Sequence, residues 1–352
     1  MTDAAFFHHP DYPVPGHGKV WSAVTGDGAS LRLASWHPTT RPVRGSVLIA
    51  QGRAEFIERY SETIVELRRR GFHVLAFDWR GQGGSQRLGK RPRRGHIDSL
   101  AQYEQDLALA VSQLQERLPA PHFALAHSMG AALCLDAARR DALPVERLVA
   151  LAPMLGIAMI DHPGQARILS RFLNLFGFGG AFIPGGSDTA IGTKPFEGNR
   201  LTGDPVRYAR NAALAAAARE LAIGDPSIAW VRVAFQLMDR LATPRAPLDI
   251  RIPTLIIAAG QDPVVSTPAI ERFAARLKTG PALVLPTARH EILMEDDTIR
   301  AQFWAAFDAF VPGEDPLAGL SAAGEESQGG AVEAFIGGGE DGAASGGAAA
   351  VP

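Results

Sequence analysis

Between residues 17 and 36 apolar and polar side chains alternate around Gly26-Asp27-Gly28. A period of two broken by a glycine-aspartate turn predicts a β-hairpin at a sheet edge. Short apolar runs follow at 46–50, 73–77, 123–126, 147–152, 253–260 and 281–285. Their length and flanking turn residues suit buried strands. Between them the spacing becomes helical: 61–70, stopped by Gly71; 100–118, stopped by Pro119; an alanine-rich run after Ser128; 268–278; and 298–310. Strands alternating with helices predict an α/β domain with a mainly parallel sheet covered on both faces. Functional groups in such folds gather at the carboxyl ends of strands.

The alternation breaks between 155 and 245, where no clear strand occurs. Helical stretches at 168–176, 205–223 and 228–241 predict an inserted helical cap. The expected organisation is a core in two parts, 1–154 and 246–312, with the cap at 155–245. Residues 313–352 consist mainly of Gly, Ala, Ser and acids, without Lys or Arg. Such a segment has too little apolar surface to order itself, so a disordered tail is expected.

With 352 residues, 46% of them hydrophobic, the chain is long enough for one large core, or for a core plus an insertion. A net charge of -2 gives no overall field pointing to nucleic acid, and no such partner is expected. No stretch is apolar enough to span a bilayer. Residues 1–10 lack a basic region followed by an apolar one, so no secretory signal is expected. Cys134 is the only cysteine, which rules out an intrachain disulfide and suits a buried core position. The expected compartment is the cytoplasm.

The candidate chemistry centres on Ala126-His127-Ser128-Met129-Gly130, where an apolar strand meets an alanine-rich helix. A serine at such an elbow has a strained backbone, and its neighbours two residues away on each side must be small. The serine hydroxyl needs a base, and the base needs an orienting carboxylate. In elbow folds the order is Ser, acid, His. Of the ten histidines, His290 follows the last predicted strand and lies downstream of an acid at the end of the strand before it. That acid is Asp262, in Gly260-Gln-Asp-Pro-Val-Val265; its ordinary structural reading is a turn aspartate before proline. His127 adjoins Ser128, and on a sharp turn it is expected to point elsewhere. The amides of Met129 and of Arg53, in the loop after the strand at 46–50, are nominated as oxyanion donors. The glycine-rich turn 78–85 does not match a phosphate-binding loop, and Asp78 there suits capping of backbone amides.

Several segments together resemble the bacterial lysophospholipase and monoacylglycerol lipase family of α/β-hydrolases. Gln51-Gly-Arg-Ala-Glu-Phe-Ile-Glu-Arg-Tyr60 is similar to its His-Gly-x-x-Glu…Arg/Lys-Tyr oxyanion segment. Phe77-Asp-Trp-Arg-Gly-Gln-Gly-Gly-Ser85 is similar to its Asp-x-Arg-Gly-x-Gly-x-Ser turn. The elbow, Gly260-Gln-Asp262 and Arg289-His-Glu291 match its nucleophile, acid and base segments. Leu201–Tyr208 and Gly224–Trp230 look like cap segments of the lysophospholipase branch. The resemblance covers about 17–312. Two departures are Gln51, where members often carry His, and Ala126, which replaces the first elbow glycine.

The resemblance implies an α/β-hydrolase fold with a mostly parallel eight-stranded sheet and an inserted helical cap. It also implies a serine hydrolase acting through an acyl-enzyme on single-acyl-chain lipids, a lysophospholipase first. The alternatives are a monoacylglycerol lipase, a small-ester esterase or peptidase, a transacylase, or a catalytically silent binding protein. Elbows of epoxide and haloalkane hydrolases carry Asp where this one has Ser128. Ile168, Leu169, Phe172, Leu173, Leu175 and Phe176 form a stripe suited to an acyl tunnel, with Phe172 and Phe176 nominated as substrate-binding. The same stripe suits a membrane surface or packing onto the core. The basic loop Arg87, Lys90, Arg91, Arg93 and Arg94 suits anionic headgroups or plain solvation. The expected partner is a small lipid, with peripheral contact at the inner face of the membrane as a further possibility. No metal cluster or nucleotide motif occurs, so no metal and no cofactor is expected. The oligomeric state is left open.

Overall fold

The computed structural model describes residues 4–311, so the expected tail lies outside the described residues. Strands β1 (Lys19–Val24) and β2 (Ser30–Trp36) form the expected hairpin, with Lys19 opposite Ser35. Its turn closes with Thr25 N–H donating to Ala29 O at 2.9 Å, and Gly28 takes φ +86°. The remaining strands are β3 (Gly45–Ala50), β4 (Phe72–Phe77), β5 (His122–His127), β6 (Arg147–Leu151), β7 (Thr254–Ala259) and β8 (Ala282–Leu285). They complete one eight-stranded sheet of order β1-β2-β4-β3-β5-β6-β7-β8. The pairs β1-β2 and β2-β4 are antiparallel, and every other pair is parallel. Strands β3 and β7 are buried at every position, which is why they read as unbroken apolar runs rather than as alternation.

Helices α1 (Ser61–Arg69), α2 (Leu100–Arg117), α3 (Ser128–Ala138), α4 (Pro163–Leu175), α5 (Pro205–Ala217), α6 (Ile228–Leu241), α7 (Thr267–Ala274) and α8 (Asp297–Phe310) connect and flank the strands. Helix α8 lies beside α1, with the Arg70 guanidinium 4.0 Å from the centre of the Trp304 ring and Phe72 edge-on to Phe307. Helices α2 and α3 pack together, and α6 lies against both.

The chain leaves β3 through α1 to reach β4 on one side, then crosses back through α2 to reach β5 on the other side of β3. This reversal makes the carboxyl ends of β3 and β5 the switch point of the sheet, the place where α/β folds position their ligands.

Among the described residues, 155–245 hold no strand, only isolated bridges such as Phe182 with Ser227. Helix α5 begins where Asp204 accepts the amides of Val206 and Arg207 and Pro205 takes the first position. It ends at Ala217 rather than running to 223. Farther on, Gly224 passes so close to Ser187 that a Cβ there would sit 2.4 Å from Ser187 O. Helix α7 also ends sooner than expected. The amides of Arg276 and Leu277 reach back three residues, to Phe273 O and Ala274 O, in a tightened last turn. No described helix is long and apolar enough to cross a membrane.

Candidate active site

Strand β5 runs directly into α3, and Ser128 stands at the junction with φ +51°. That left-handed conformation is costly for a residue with a side chain and points Oγ off the top of the sheet. The neighbours explain the small-residue pattern. A Cβ on Gly130 would lie 2.4 Å from both Ala50 O and Gln51 O, so only glycine lets α3 pass over the end of β3. Ala126 pairs with Ala50 in the sheet and is buried, and its methyl group is accommodated there.

His290 lies between β8 and α8, and Asp262 follows β7. Ser128 Oγ is 2.9 Å from His290 Nε2, and His290 Nδ1 is 2.8 Å from Asp262 Oδ2. The structure thus brings all three residues into one hydrogen-bonded row, with the Ser128 and His290 side chains buried. The other carboxylate oxygen, Asp262 Oδ1, accepts the amides of Val264 and Val265 at 2.8 and 2.9 Å. Asp262 is therefore both the turn aspartate and the partner of His290. Burial opposes its charge, yet the hydrogen bond and charge of His290, with the two amides, hold its pKa below the usual carboxylate range.

The Met129 amide sits in the first turn of α3, where N–H groups lack helical acceptors. Arg53 lies in the loop after β3. Its side chain departs from the elbow: Nη2 donates to Gly224 O at 2.5 Å, and the guanidinium stacks 5.1 Å from the centre of the Trp230 ring. Burial pushes its pKa down to about 10.

The loop that carries Arg53 is held from below by the glycine-rich turn. Asp78 Oδ1 accepts the Ile57 amide at 3.0 Å and Gln51 Nε2 at 3.2 Å; Oδ2 accepts Gly84 N and Arg32 Nε, each at 2.7 Å. Gln82 Nε2 donates to Gly52 O and Glu55 O at 2.8 and 3.0 Å. Capping by Asp78 is thus directed at the loop that carries Arg53. Gly83 is needed because a Cβ there would collide with the Asp78 carboxylate.

Sequence reasoning passed over a second layer. His127 does turn away from the Ser128 hydroxyl, but its ring lies 4.9 Å from that of His290, centre to centre. It contacts Glu55 Oε1 at 2.9 Å and His290 O at 3.0 Å. Arg59 donates to both oxygens of Glu291 at 2.9 and 2.8 Å. Glu55 and Arg59 stood inside the oxyanion segment and Glu291 beside the base, so the segments were visible in the sequence while their pairing was not.

Phe172 and Phe176 lie on the outer face of α4, 56% and 61% exposed, with Ile168 and Leu175 beside them at 70% and 80%. Of the basic loop, Arg91 and Arg94 stack on Phe182, and Arg87 Nη2 donates to Glu220 O and Leu221 O. Among the described residues no cluster of three or more His, Cys, Asp or Glu is arranged to hold a metal.

An eight-stranded, mostly parallel sheet with a serine at the strand-helix elbow of its switch point defines an α/β-hydrolase. The chain belongs to the Hydrolase_4 family, described as serine aminopeptidase, S33, which matches residues 41–297. Lysophospholipase L2 of Escherichia coli strain K12 is 34% identical over 271 residues, 72% of this chain and 76% of that one. The probable lysophospholipase L2 of Haemophilus influenzae is 28% identical over 270 residues, 76% and 84% of the two chains. In fold, the chain is similar to a soluble variant of monoglyceride lipase from Saccharomyces cerevisiae solved with a substrate analog. The TM-score is 0.68 at 18% identity, covering 86% of this chain and 97% of that one.

Proposed function

We propose that the protein is a serine hydrolase that cleaves the carboxylic ester of single-acyl-chain lipids, with a lysophospholipid as substrate. One observation carries the chemistry: the row from Ser128 Oγ through His290 to Asp262, with separations of 2.9 and 2.8 Å. Ser128 Oγ attacks the ester carbonyl while His290 Nε2 takes its proton. Asp262 keeps Nδ1–H pointed at itself, so Nε2 is free to act as base. The amides of Met129 and Arg53 receive the negative oxygen of the tetrahedral intermediate. His290 then protonates the departing glycerol oxygen, and water repeats the sequence on the acyl-enzyme.

The choice of substrate rests on the relatives named lysophospholipase, which match about three quarters of this chain. In this reading residues 155–245 act as the cap over a core formed by 1–154 and 246–312. Phe172 and Phe176 meet the acyl chain only if α4 meets the lipid. The apolar face of α4 and the basic loop then make peripheral contact with the inner face of the membrane from the cytoplasm. A panel of lysophosphatidylcholine, monoacylglycerol, a short p-nitrophenyl ester and an aminoacyl amide tests the reading. Release of fatty acid with glycerophosphocholine is expected. Preference for monoacylglycerol would move the substrate to the neutral lipid, and cleavage of the amide alone would remove the esterase reading.

A further inference from the structure

The imidazole of His127 is buried between two acceptors. Nε2 faces the main-chain carbonyl of His290 at 3.0 Å, and a carbonyl has no proton to give, so Nε2 carries one. Nδ1 faces Glu55 Oε1 at 2.9 Å, and the proton there belongs either to the ring or to the carboxyl group. The surroundings decide. Glu55 Oε2 already accepts Gly52 N–H and Tyr60 O–H, each at 2.6 Å, and such donors favour the ionised carboxylate. Arg59 adds positive charge from the same segment. From the base loop, Glu291 faces the ring as well, but Arg59 holds both its oxygens. The neighbouring His290 and Ser128 are paired with each other.

We propose that His127 is a standing imidazolium whose ion pair with Glu55 ties the base loop to the oxyanion loop and thereby positions His290 over Ser128. The charge sits where three separate segments meet: Gly52–Tyr60, the elbow, and His290-Glu291. Burial opposes charge on both members, but the Coulombic attraction and the hydrogen bond outweigh it, raising the His127 pKa and lowering that of Glu55. A buried pair of this kind is strongly destabilised when one partner is removed, which suits a clamp better than an ornament of the surface. His127 is a positioning residue. It acts through the His290 backbone and touches no reacting atom. Its role in the reaction rests on the serine hydrolase reading; its charge does not.

The test uses long-range proton–nitrogen correlation spectra of the full-length, nitrogen-15-labelled chain at about pH 8, where an ordinary imidazole is neutral. One ring with both nitrogens protonated is expected, absent in His127→Gln and converted to a neutral pattern in Glu55→Gln. A spectrum of the unsubstituted protein without any doubly protonated ring overturns the charge assignment, whether or not the variants fold. On a short p-nitrophenyl ester, Glu55→Gln should lower kcat by about ten-fold or more, with KM within about two-fold, because a misplaced base costs rate rather than binding. An unchanged kcat, or a loss confined to KM, overturns the positioning role. If the unsubstituted enzyme cleaves no ester, the hydrolase reading fails while the ring pattern still decides the charge. An active enzyme with a neutral His127 sinks this inference alone.

Discussion

Gly130 has no room to be anything else: the carbonyls of Ala50 and Gln51 occupy the position its side chain would take. Both are main-chain atoms at the end of a central strand, so they cannot yield cheaply. Gly130→Ala should lower the melting temperature and weaken fluorophosphonate labelling of Ser128. Calorimetry and labelling indistinguishable from the parent would show that the elbow is not as tight as described. Asp262→Asn keeps the turn, because Oδ1 can still accept the amides of Val264 and Val265, but it puts the wrong partner at His290 Nδ1. A loss in kcat of roughly 1,000- to 10,000-fold with little change in KM is expected, by analogy with the same substitution in serine proteases. A loss under about ten-fold would mean that Asp262 is a turn residue and no more. Ser128, Asp262 and His290 were legible as candidates because each follows a short apolar run in the order an elbow fold requires. The contacts of His127 span 72 residues to Glu55 and 163 to His290, and no local pattern announces a pairing that distant.

At the scale of elements, Glu62 on α1 gathers Arg207 and Arg210 from α5 and Arg300 from α8, at 2.6 to 2.8 Å. Burial works against its charge, but the hydrogen bonds from Arg207 and Arg210 and the charge of Arg300 win, lowering its pKa from 4.5 to about 2. A carboxylate depressed by folding contributes stability that is complete above its unfolded pKa and disappears as pH falls through the folded one. The contribution of Glu62 should therefore fade between about pH 4.5 and pH 2. Urea midpoints of the parent and of Glu62→Gln should differ at neutral pH and converge towards the acid end; a gap that stays constant with pH would refute this account. Strands were the most legible elements, because burial on both faces leaves β3 and β7 apolar but for Ser46 and Thr254 near their starts. Helix ends were less so. Nothing in the alanine-rich run around 205–223 marks Ala217 as a stop; beyond it the carbonyls of Glu220 and Leu221 are taken by the distant Arg87 and Gly83, partners no local pattern announces.

At the scale of the molecule, apolar exposure among the described residues concentrates on α4 and the turn after it, through Ile168, Leu169, Phe172, Leu175, Phe176 and Phe178. Arg91 and Arg94 stack on Phe182, four residues beyond Phe178, so cations border the apolar face. An amphipathic helix edged by arginines suits an anionic lipid interface. Co-sedimentation with phosphatidylglycerol vesicles should exceed that with phosphatidylcholine vesicles and fall in Ile168→Ser with Leu175→Ser; equal binding by parent and variant would remove the face from the account. The sequence showed this stripe but left three fates open for it, since a helical apolar face reads the same over a core, a ligand or a membrane. The account as a whole rests on Ser128 as the attacking group. Hydrolysis of a short p-nitrophenyl ester by purified Ser128→Ala tests that most directly. A fall of at least about 1,000-fold against the parent is predicted. Activity retained by the alanine enzyme would contradict it.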